Sequence, residues 1–345
     1  IDYFGYTFFT LGMLSFWPHT AALLAGHLVF LFITNLKKNN YFSHLIGQDN
    51  VKKKLNFYLK AYEATSICPF LNLVGAKGLG KTLFAKEFAK NLKNKDGSKR
   101  PFLELNCSTI KNNEQFFEQI FIPLIMNNEI TILFDEAHAL PKDLTMAFLT
   151  IFNTEKTNTK DFTFEDQTFT FDFSRQTFIF ATTESDKLFP PLKDRLTTVD
   201  FEQYSQSNLG EILKLNCDGI NFSDEALNAL SSTVRGNARN AVMRSREVVL
   251  YCESENKNDF NLPDFEVLVD LLGILPEGIT CTEKQILDIL ADRGSCKLQT
   301  LSAVTGLSPT SLRRDHEVYL LRKNFMQIDG ERKITNFGKN LLLSI

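Results

Sequence analysis

The sequence predicts an α/β fold with a parallel β-sheet, followed by a helical region and by a C-terminal unit of three helices and a two-stranded hairpin. Apolar runs at residues 70–74, 130–134 and 177–181 alternate with helical patterns, which is typical of parallel strands buried on both faces. Residues 203–275 show only helical patterns. Residues 283–335 show three helical patterns and then two short strands around an Asp-Gly turn, which is the pattern of a winged helix.

Length and composition exclude a small scaffold held by disulfides or metal. The chain has 345 residues, enough for two or three domains. It carries 38 Lys and Arg against 41 Asp and Glu, so a nucleic-acid surface would have to be a local patch, and residues 281–345 hold ten basic against seven acidic residues. The six cysteines lack metal-ligand spacing and are expected to be buried thiols in a reducing compartment.

The first residues are strongly apolar, since no Asp, Glu, Lys or Arg lies between Tyr3 and Leu36. Residues 13–36 are as rich in apolar residues as a helix that spans a bilayer. Lys37-Lys38 would keep the rest of the chain on the cytoplasmic side. Residues 1–36 are therefore expected to be either a membrane anchor or a buried or artefactual segment. The protein is expected to be cytoplasmic, free or tethered to that face of a membrane.

A glycine-rich loop at residues 75–82 lies between the first predicted strand and a helix and matches the pattern GxxxxGK[ST]. In this motif backbone N–H groups bind phosphate oxygens, the lysine reaches the β- and γ-phosphates, and the last hydroxyl binds Mg²⁺. The sequence therefore predicts ATP and Mg²⁺ as ligands, with Thr82 as a metal ligand. The expected nucleotide contacts in and after the loop are Gly75, Gly78, Gly80, Lys81, Thr82 and Leu83.

Two acids, Asp135 and Glu136, follow the second apolar run. One carboxylate there can hold Mg²⁺ while the next orients or deprotonates the attacking water, so we assign Asp135 to the metal and Glu136 to the water. Taken alone, such a pair also caps helices. Together with the next two residues, the pair forms the sequence Asp-Glu-Ala-His, which is the motif of one class of RNA helicases. Those enzymes need a second motor domain, and the helical chain after Thr183 leaves no room for one.

Phenylalanines at positions 162, 164, 169, 171 and 173 alternate with polar residues. This period of two predicts a hairpin with one aromatic face. The hairpin is interpreted either as a sheet extension packed on the core or as a protruding contact arm.

With these motifs placed, residues 37–345 resemble the bacterial RuvB family, the AAA+ motors that drive branch migration of Holliday junctions. The resemblance is carried by residues 45–51 ahead of the loop, by Gly78-Leu79-Gly80-Lys81-Thr82 and by residues 134–140. It implies an AAA+ P-loop αβα motor domain over residues 37–202, a helical lid over 203–275 and a C-terminal winged-helix domain over 276–345.

The resemblance also implies further site residues. They are Thr183 as first sensor, Arg195 as the arginine finger that enters the neighbouring subunit's site, Tyr204 as a nucleotide contact and Arg239, in the stretch 235–239, as second sensor. A finger that acts in trans implies a homo-hexameric ring, because each site then needs its neighbour.

In the winged helix, Gly330-Glu331-Arg332-Lys333 resembles the basic wing with which the family touches the DNA backbone. Arg332 is therefore expected to contact four-way junction or duplex DNA through phosphates, and Lys333 and Arg313 are weaker candidates. The alternative, a winged helix used for protein contacts, stays open.

The sequence departs from the family pattern in several places. Lys37-Lys38 stands where the family has an arginine near the adenine, and residues 153–155 replace an acidic pair and a tyrosine. Gln327 stands where the wing has its first arginine, which would lower DNA affinity. The segment 161–173 takes the place of the hairpin that docks on RuvA, but its residues differ, so a RuvA-like partner is left open.

The function implied is that of a RuvB-like ATP hydrolase that drives Holliday junction branch migration in recombination and repair. Two alternatives stay open: a membrane-tethered AAA+ remodeller of proteins, favoured by the apolar start, and a clamp-loader-like ATPase without processive movement.

Overall fold

The structure, a computed structural model, describes residues 40–153 and 158–345. The predicted anchor at residues 13–36, the pair Lys37-Lys38 and the residues Thr154 and Glu155 lie outside the described residues. Within the described ranges, no helix is long and apolar enough to cross a membrane.

A parallel sheet forms the centre of the first region. The strands of this region are β1 (Leu71–Val74), β2 (Phe102–Asn106), β3 (Ile130–Asp135), β4 (Thr159–Phe164), β5 (Gln167–Asp172), β6 (Gln176–Thr182) and β7 (Thr197–Asp200). Five of them pair in the order β2-β3-β6-β1-β7, all parallel, while β4 and β5 form a separate hairpin. Strand β6 is buried along its whole length, as the apolar run predicts for a strand covered on both faces. The predicted α/β fold is confirmed.

Helices cover both faces of this sheet. They are α1 (Asp49–Thr65), α2 (Lys81–Lys90), α3 (Gln115–Ile125), α4 (Lys142–Ile151) and α5 (Pro190–Lys193), with 3₁₀ turns at Cys107–Thr109 and Ala137–Ala139. Side chains alternate between faces along a strand. Leu71 and Leu73 therefore join the apolar cluster of α1 and α2, whereas Phe134 and Phe180 join that of α3 and α4.

The phenylalanine hairpin packs on the core through its aromatic face. Three of its rings, those of Phe162, Phe164 and Phe169, stack on Phe117 of α3 with centroid distances of 5.3, 5.0 and 5.3 Å. The outward positions are polar and exposed, among them Thr163, which is hydrogen-bonded across the strands. The aromatic residues are thus core residues, although the pair is not continuous with the central sheet.

The helical region that follows consists of α6 (Gln206–Leu215), α7 (Asp224–Ser232), α8 (Ala238–Ser254) and α9 (Leu262–Leu272). The expectation that this region is wholly helical is wrong, because two short strands, β8 (Asn221–Phe222) and β9 (Asp259–Phe260), pair in parallel. Strands of two residues are too short to show a period. Leu213 and Leu230 belong to the same apolar cluster as the α1 and α2 side of the sheet, so the helical region packs directly on the sheet region.

The C-terminal region has its own apolar cluster, which includes Ile286, Leu301 and Leu320. Its elements are α10 (Cys281–Arg293), β10 (Ser295–Cys296), α11 (Leu298–Thr305), a helix α12 of three consecutive segments (Pro309–Ser311, Leu312–Glu317 and Val318–Arg322), β11 (Met326–Asp329), β12 (Glu331–Ile334) and α13 (Asn336–Leu343). The three helices and the wing match the prediction, and β10 and α13 are additional. The domain boundaries at residues 202 and 276 stay predictions.

The cysteines are free thiols. Five of them are buried as expected, but the expectation is wrong for Cys281, which is exposed at the first turn of α10. Burial raises the pKa of the Cys68 thiol to about 12, which keeps this group protonated.

Candidate active site

The glycine-rich loop connects the end of β1 to the start of α2. Its conformation depends on glycine, which has no Cβ atom. Gly80 caps α2 with a φ of 94°, a left-handed conformation that side chains rarely adopt. A Cβ on Gly78 would lie 2.1 Å from Oδ1 of Asn237. The loop can therefore approach both a phosphate chain and the lid only with glycine at these positions.

Lys81 is nearly buried in this loop, with 7% of its surface exposed. Its Nζ donates to the carbonyl oxygens of Gly75 (2.8 Å) and Ala76 (3.0 Å). Burial lowers the pKa of Lys81, and the nearby Asp135 and Glu136 oppose this shift. The ammonium group is thus held at the loop, where phosphate oxygens would become its partners.

Thr82 and Asp135 supply the oxygen atoms that a divalent cation needs. Oγ1 of Thr82 donates to Oδ2 of Asp135 at 3.3 Å, which brings the first turn of α2 to the end of β3. A hydroxyl and a carboxylate form a ligand set of the kind that Mg²⁺ prefers, with water and phosphate oxygens completing it. These two residues therefore fit a magnesium site.

Glu136 has an unusual backbone conformation, with a φ of 54°, just beyond the end of β3. Its Oε2 accepts a hydrogen bond from Oγ1 of Thr183 at 3.3 Å and lies 3.5 Å from Nδ1 of His138. The same ring nitrogen is 3.0 Å from Oγ1 of Thr182. Strained residues of this kind persist where neighbouring contacts hold them, and here those contacts aim the carboxylate at the edge of the sheet.

The lid contributes Tyr204 and Arg239 to the same loop. The hydroxyl of Tyr204 donates to the carbonyl of Leu79 at 3.1 Å, and burial raises the pKa of this hydroxyl. The backbone N–H of Arg239 donates to the carbonyl of Gly78 at 3.3 Å. The lid is thus fastened to the phosphate-binding loop itself.

These groups surround a cavity of about 510 Å³ between the sheet edge and the lid. It is lined by Lys77, Gly78, Gly80, Lys81, Thr82, Leu83, Asp135, Glu136, Thr183, Ala238, Arg239, Val242, Met243 and Arg246. The structure therefore brings most of the predicted site residues to one cavity. Gly75, the first residue of the loop, and Tyr204, which donates to the carbonyl of Leu79, do not line the cavity.

Arg195 is placed elsewhere. Its Nη1 donates at 2.7 Å to the carbonyl of Pro191 in the preceding short helix α5, and Arg195 is not among the residues that line the cavity. Arg195 therefore does not line the cavity of its own chain, and its role as an arginine finger stays a prediction.

Arg246 lines the cavity but was not anticipated from the sequence. It lies seven residues, two helical turns, after Arg239 on α8, so both side chains share one face of that helix. This spacing was the signal available in the sequence.

Arg246 faces a site for polyphosphate from an exposed position, so we expect Arg246→Ala to weaken ATP binding by up to about fivefold. Arg244→Ala is the matched control, because Arg244 lies on the same helix and pairs with Glu247 at 2.5 Å without lining the cavity. Titration of a fluorescent ATP analogue measures both affinities. Equal affinities in the two variants would exclude a nucleotide contact by Arg246.

The structure contradicts the expectation that Arg332 is the leading DNA contact. Its guanidinium is buried, with Nε and Nη2 donating to Oε1 and Oε2 of Glu317 at 2.8 and 3.2 Å. A side chain engaged in this way holds β12 against α12 and is not available to phosphate. Lys333 is partly exposed and lies 3.5 Å from Asp329, whereas Arg313 is exposed and makes no ion pair within the described ranges.

Replacing Arg332 by alanine is expected to destabilise the winged helix by about 3–5 kcal/mol, because Glu317 would be left buried and unpaired. Replacing Arg313 by alanine should leave thermal stability unchanged but weaken junction binding and reduce its salt dependence by about one phosphate contact. Scanning calorimetry and binding titrations at several salt concentrations measure the two effects. Unchanged stability with lost DNA binding in Arg332→Ala would restore it as a DNA contact.

Residues 71–204 match the model of the ATPase family associated with various cellular activities (AAA). The fold and the site thus define an AAA+ ATPase.

The likeness to individual proteins extends further along the chain. The Holliday junction branch migration complex subunit RuvB of Fusobacterium nucleatum is 24% identical over 323 residues, covering 86% of this chain and 88% of that protein. The corresponding subunit of Pseudothermotoga lettingae is 29% identical over 300 residues, covering 81% and 82%. The solved RuvB branch migration motor of Thermotoga maritima has the same fold, with a TM-score of 0.70 and 23% identity over 86% of this chain and 95% of that one. Over most of its length the chain is therefore similar to RuvB proteins.

Proposed function

We propose that this protein is an ATP-driven DNA motor that moves the branch point of four-way junctions in recombination and repair. The observation that carries the proposal is the extent of the likeness. The ATPase match ends at residue 204, whereas the relatives named as branch migration subunits match over 81–90% of this chain, which includes its lid and winged helix.

The geometry supports a specific division of work in ATP hydrolysis. Lys81 and the backbone N–H groups of the loop bind the phosphates, and Thr82 and Asp135 would hold Mg²⁺, which would supply positive charge against the phosphates. Glu136, oriented by Thr183, positions water for attack on the γ-phosphorus and takes up its proton as ADP leaves. Arg239 contacts the terminal phosphate from the lid.

We propose a homo-hexameric ring in which Arg195 completes the site of the neighbouring subunit. This follows from its placement outside its own cavity and from the need for positive charge at the transferring phosphoryl group. ATP hydrolysis then depends on assembly. ATP binding and hydrolysis at the subunit interfaces shift the lid against the motor domain, and the winged helices pull the duplex through the ring.

DNA contacts in this proposal come from phosphate recognition by Arg313 and Lys333, without sequence readout.

A RuvA-like partner, if it binds the hairpin β4–β5, meets a hydroxyl-rich and acidic face, because the aromatic face is buried on α3. Such a partner would present polar or basic groups. The proposed place of action is the cytoplasm.

One observation favours a second candidate, a clamp-loader-like ATPase that binds DNA under nucleotide control without moving along it. The tip of the wing carries exposed Ile328 and Asp329, and Arg332 is engaged with Glu317, so the wing offers little positive charge. The membrane-tethered remodeller rests on residues 13–36, outside the described ranges.

A four-way junction with a mobile core separates these functions. The full chain, with and without a RuvA-type junction-binding protein, should convert the junction to duplex products only with ATP. ATP hydrolysis stimulated by the junction without any conversion would favour the clamp-loader-like function. Hydrolysis indifferent to DNA would contradict both and favour the remodeller.

A further inference from the structure

A segment of five residues in the lid joins the phosphate-binding loop to the winged helix. We call residues 235–239 the strap. At its C-terminal end, Nδ2 of Asn237 donates to the carbonyl of Lys77 at 3.1 Å, and the N–H of Arg239 donates to the carbonyl of Gly78 at 3.3 Å. Asn237 also caps α8 by accepting from the N–H of Arg239 at 2.9 Å. This end of the strap therefore follows any movement of the loop.

The N-terminal end of the strap is anchored in the winged helix. Nη1 and Nη2 of Arg235 donate to the two carboxylate oxygens of Glu283 at 3.1 and 2.7 Å, and its guanidinium lies 3.8 Å from the ring centroid of Tyr319. Glu283 is fully buried and Tyr319 nearly so. A bidentate pair at a buried carboxylate is directional, so Arg235 fixes the orientation of the element that carries Glu283.

The elements that Arg235 contacts are themselves tied together. Glu283 caps α10, because its carboxylate accepts from the N–H of Thr280 at 2.8 Å. The hydroxyl of Tyr319 donates to the carbonyl of Glu277 at 2.5 Å, and the carboxylate of Glu277 pairs with Lys323 at 2.7 Å. Residues 276–278, between the lid and the winged helix, are thus held by contacts from α12.

The backbone of the strap leaves little freedom between its two ends. Arg235 and Gly236 have consecutive left-handed φ angles of 61° and 73°. Such a conformation at a residue with a side chain is strained and persists only when surrounding contacts hold it. The carbonyl of Gly236 also accepts from the N–H of Tyr204 at 3.4 Å. The strap is a rigid turn and not a flexible linker.

We propose that Arg235 is the positioning residue that couples the nucleotide state of the phosphate-binding loop to the position of the winged helix. Nucleotide binding rearranges the loop at Lys77 and Gly78, the strap moves with it, and Arg235 transmits the movement to α10 and α12. As a route from ATP to DNA movement, this coupling rests on the proposed function. The coupling itself is a property of the fold that is measurable without DNA.

The test uses the full chain with Cys281→Ser, since Cys281 is the exposed one of the six thiols. Fluorescent donor and acceptor dyes are placed at Phe57→Cys on α1 and Phe337→Cys on α13, whose side chains are 65% and 62% exposed. Energy transfer is compared with ADP and with a slowly hydrolysed ATP analogue. We expect the nucleotides to give different transfer efficiencies in the parent protein.

The variant pair Arg235→Met and Glu283→Gln removes both charges together, so no carboxylate is left buried and unpaired, and glutamine can still cap α10. The matched control is Arg244→Met with Glu247→Gln, which removes an ion pair within α8. We expect the nucleotide-dependent difference to be lost in the first variant and kept in the control, with basal ATP hydrolysis similar in both. Arg235→Lys, which keeps the charge but not the fork, should show a reduced difference.

The proposal is overturned if the parent protein shows no nucleotide-dependent difference, or if the Arg235→Met, Glu283→Gln variant retains it in full. Should the double variant not fold, an undiminished difference in Arg235→Lys overturns the proposal. Failure of the proposed function has a distinct signature, since the parent protein would then not move junctions although the distance change persists.

Discussion

Replacing Glu136 by glutamine is expected to lower the rate of ATP hydrolysis by about 10²- to 10⁴-fold and to change nucleotide affinity little. The amide keeps the shape of the side chain and can still accept from Thr183, but it cannot take the proton of the attacking water. Phosphate release in a single turnover measures the rate, and titration of a fluorescent ATP analogue measures the affinity.

Glu184→Gln is the matched control for this experiment. Oε1 of Glu184 lies 3.7 Å from Nε2 of His138, whereas Glu136 lies near the other ring nitrogen, so the two carboxylates flank one imidazole. Only Glu136 lines the nucleotide cavity. Similar rates in the two variants would show that Glu136 does not act on water.

Replacing Arg195 by alanine should lower ATP turnover by at least about 10³-fold, the range found for arginine fingers. The reason is the loss of positive charge at the phosphoryl group in the neighbouring site. Lys193→Ala, two residues earlier at the end of the short helix α5, is the control and should retain turnover. Steady-state hydrolysis at saturating ATP measures both variants.

Mixing two inactive variants tests whether Arg195 acts on its neighbour. A ring that contains Arg195→Ala and Glu136→Gln subunits has interfaces at which an intact Glu136 meets an intact Arg195. Such interfaces should restore part of the turnover. If no activity returns although the variants assemble together, the finger does not act in trans.

The central strands were predictable because burial on both faces gives uninterrupted apolar runs. Strand β2 was not, since the exposed Glu104 interrupts its apolar residues at the sheet edge. Strands β8 and β9 have two residues each and form only because the lid helices bring them together. Local patterns therefore predict elements whose burial is continuous, and miss those set by tertiary neighbours.

The nucleotide site was predictable to the extent that it is local. Lys81, Thr82 and Asp135 lie in short motifs whose geometry follows from a strand, a loop and a helix. Arg332 was misjudged, because its partner Glu317 lies 15 residues away on another element, and its burial depends on how β12 packs on α12. The sequence around a basic residue in a predicted wing does not show whether the folded chain places a buried carboxylate beside it.

The most direct test of the central claim, that this ATPase acts on branched DNA, is the rate of ATP hydrolysis by the full chain with and without four-way junction DNA. The account predicts a rate that rises when the junction is added, rises less with linear duplex of equal length, and vanishes with Glu136→Gln in both cases. A rate that is the same with junction, linear duplex and no DNA, while Glu136→Gln still abolishes it, would contradict the DNA motor and leave only the ATPase.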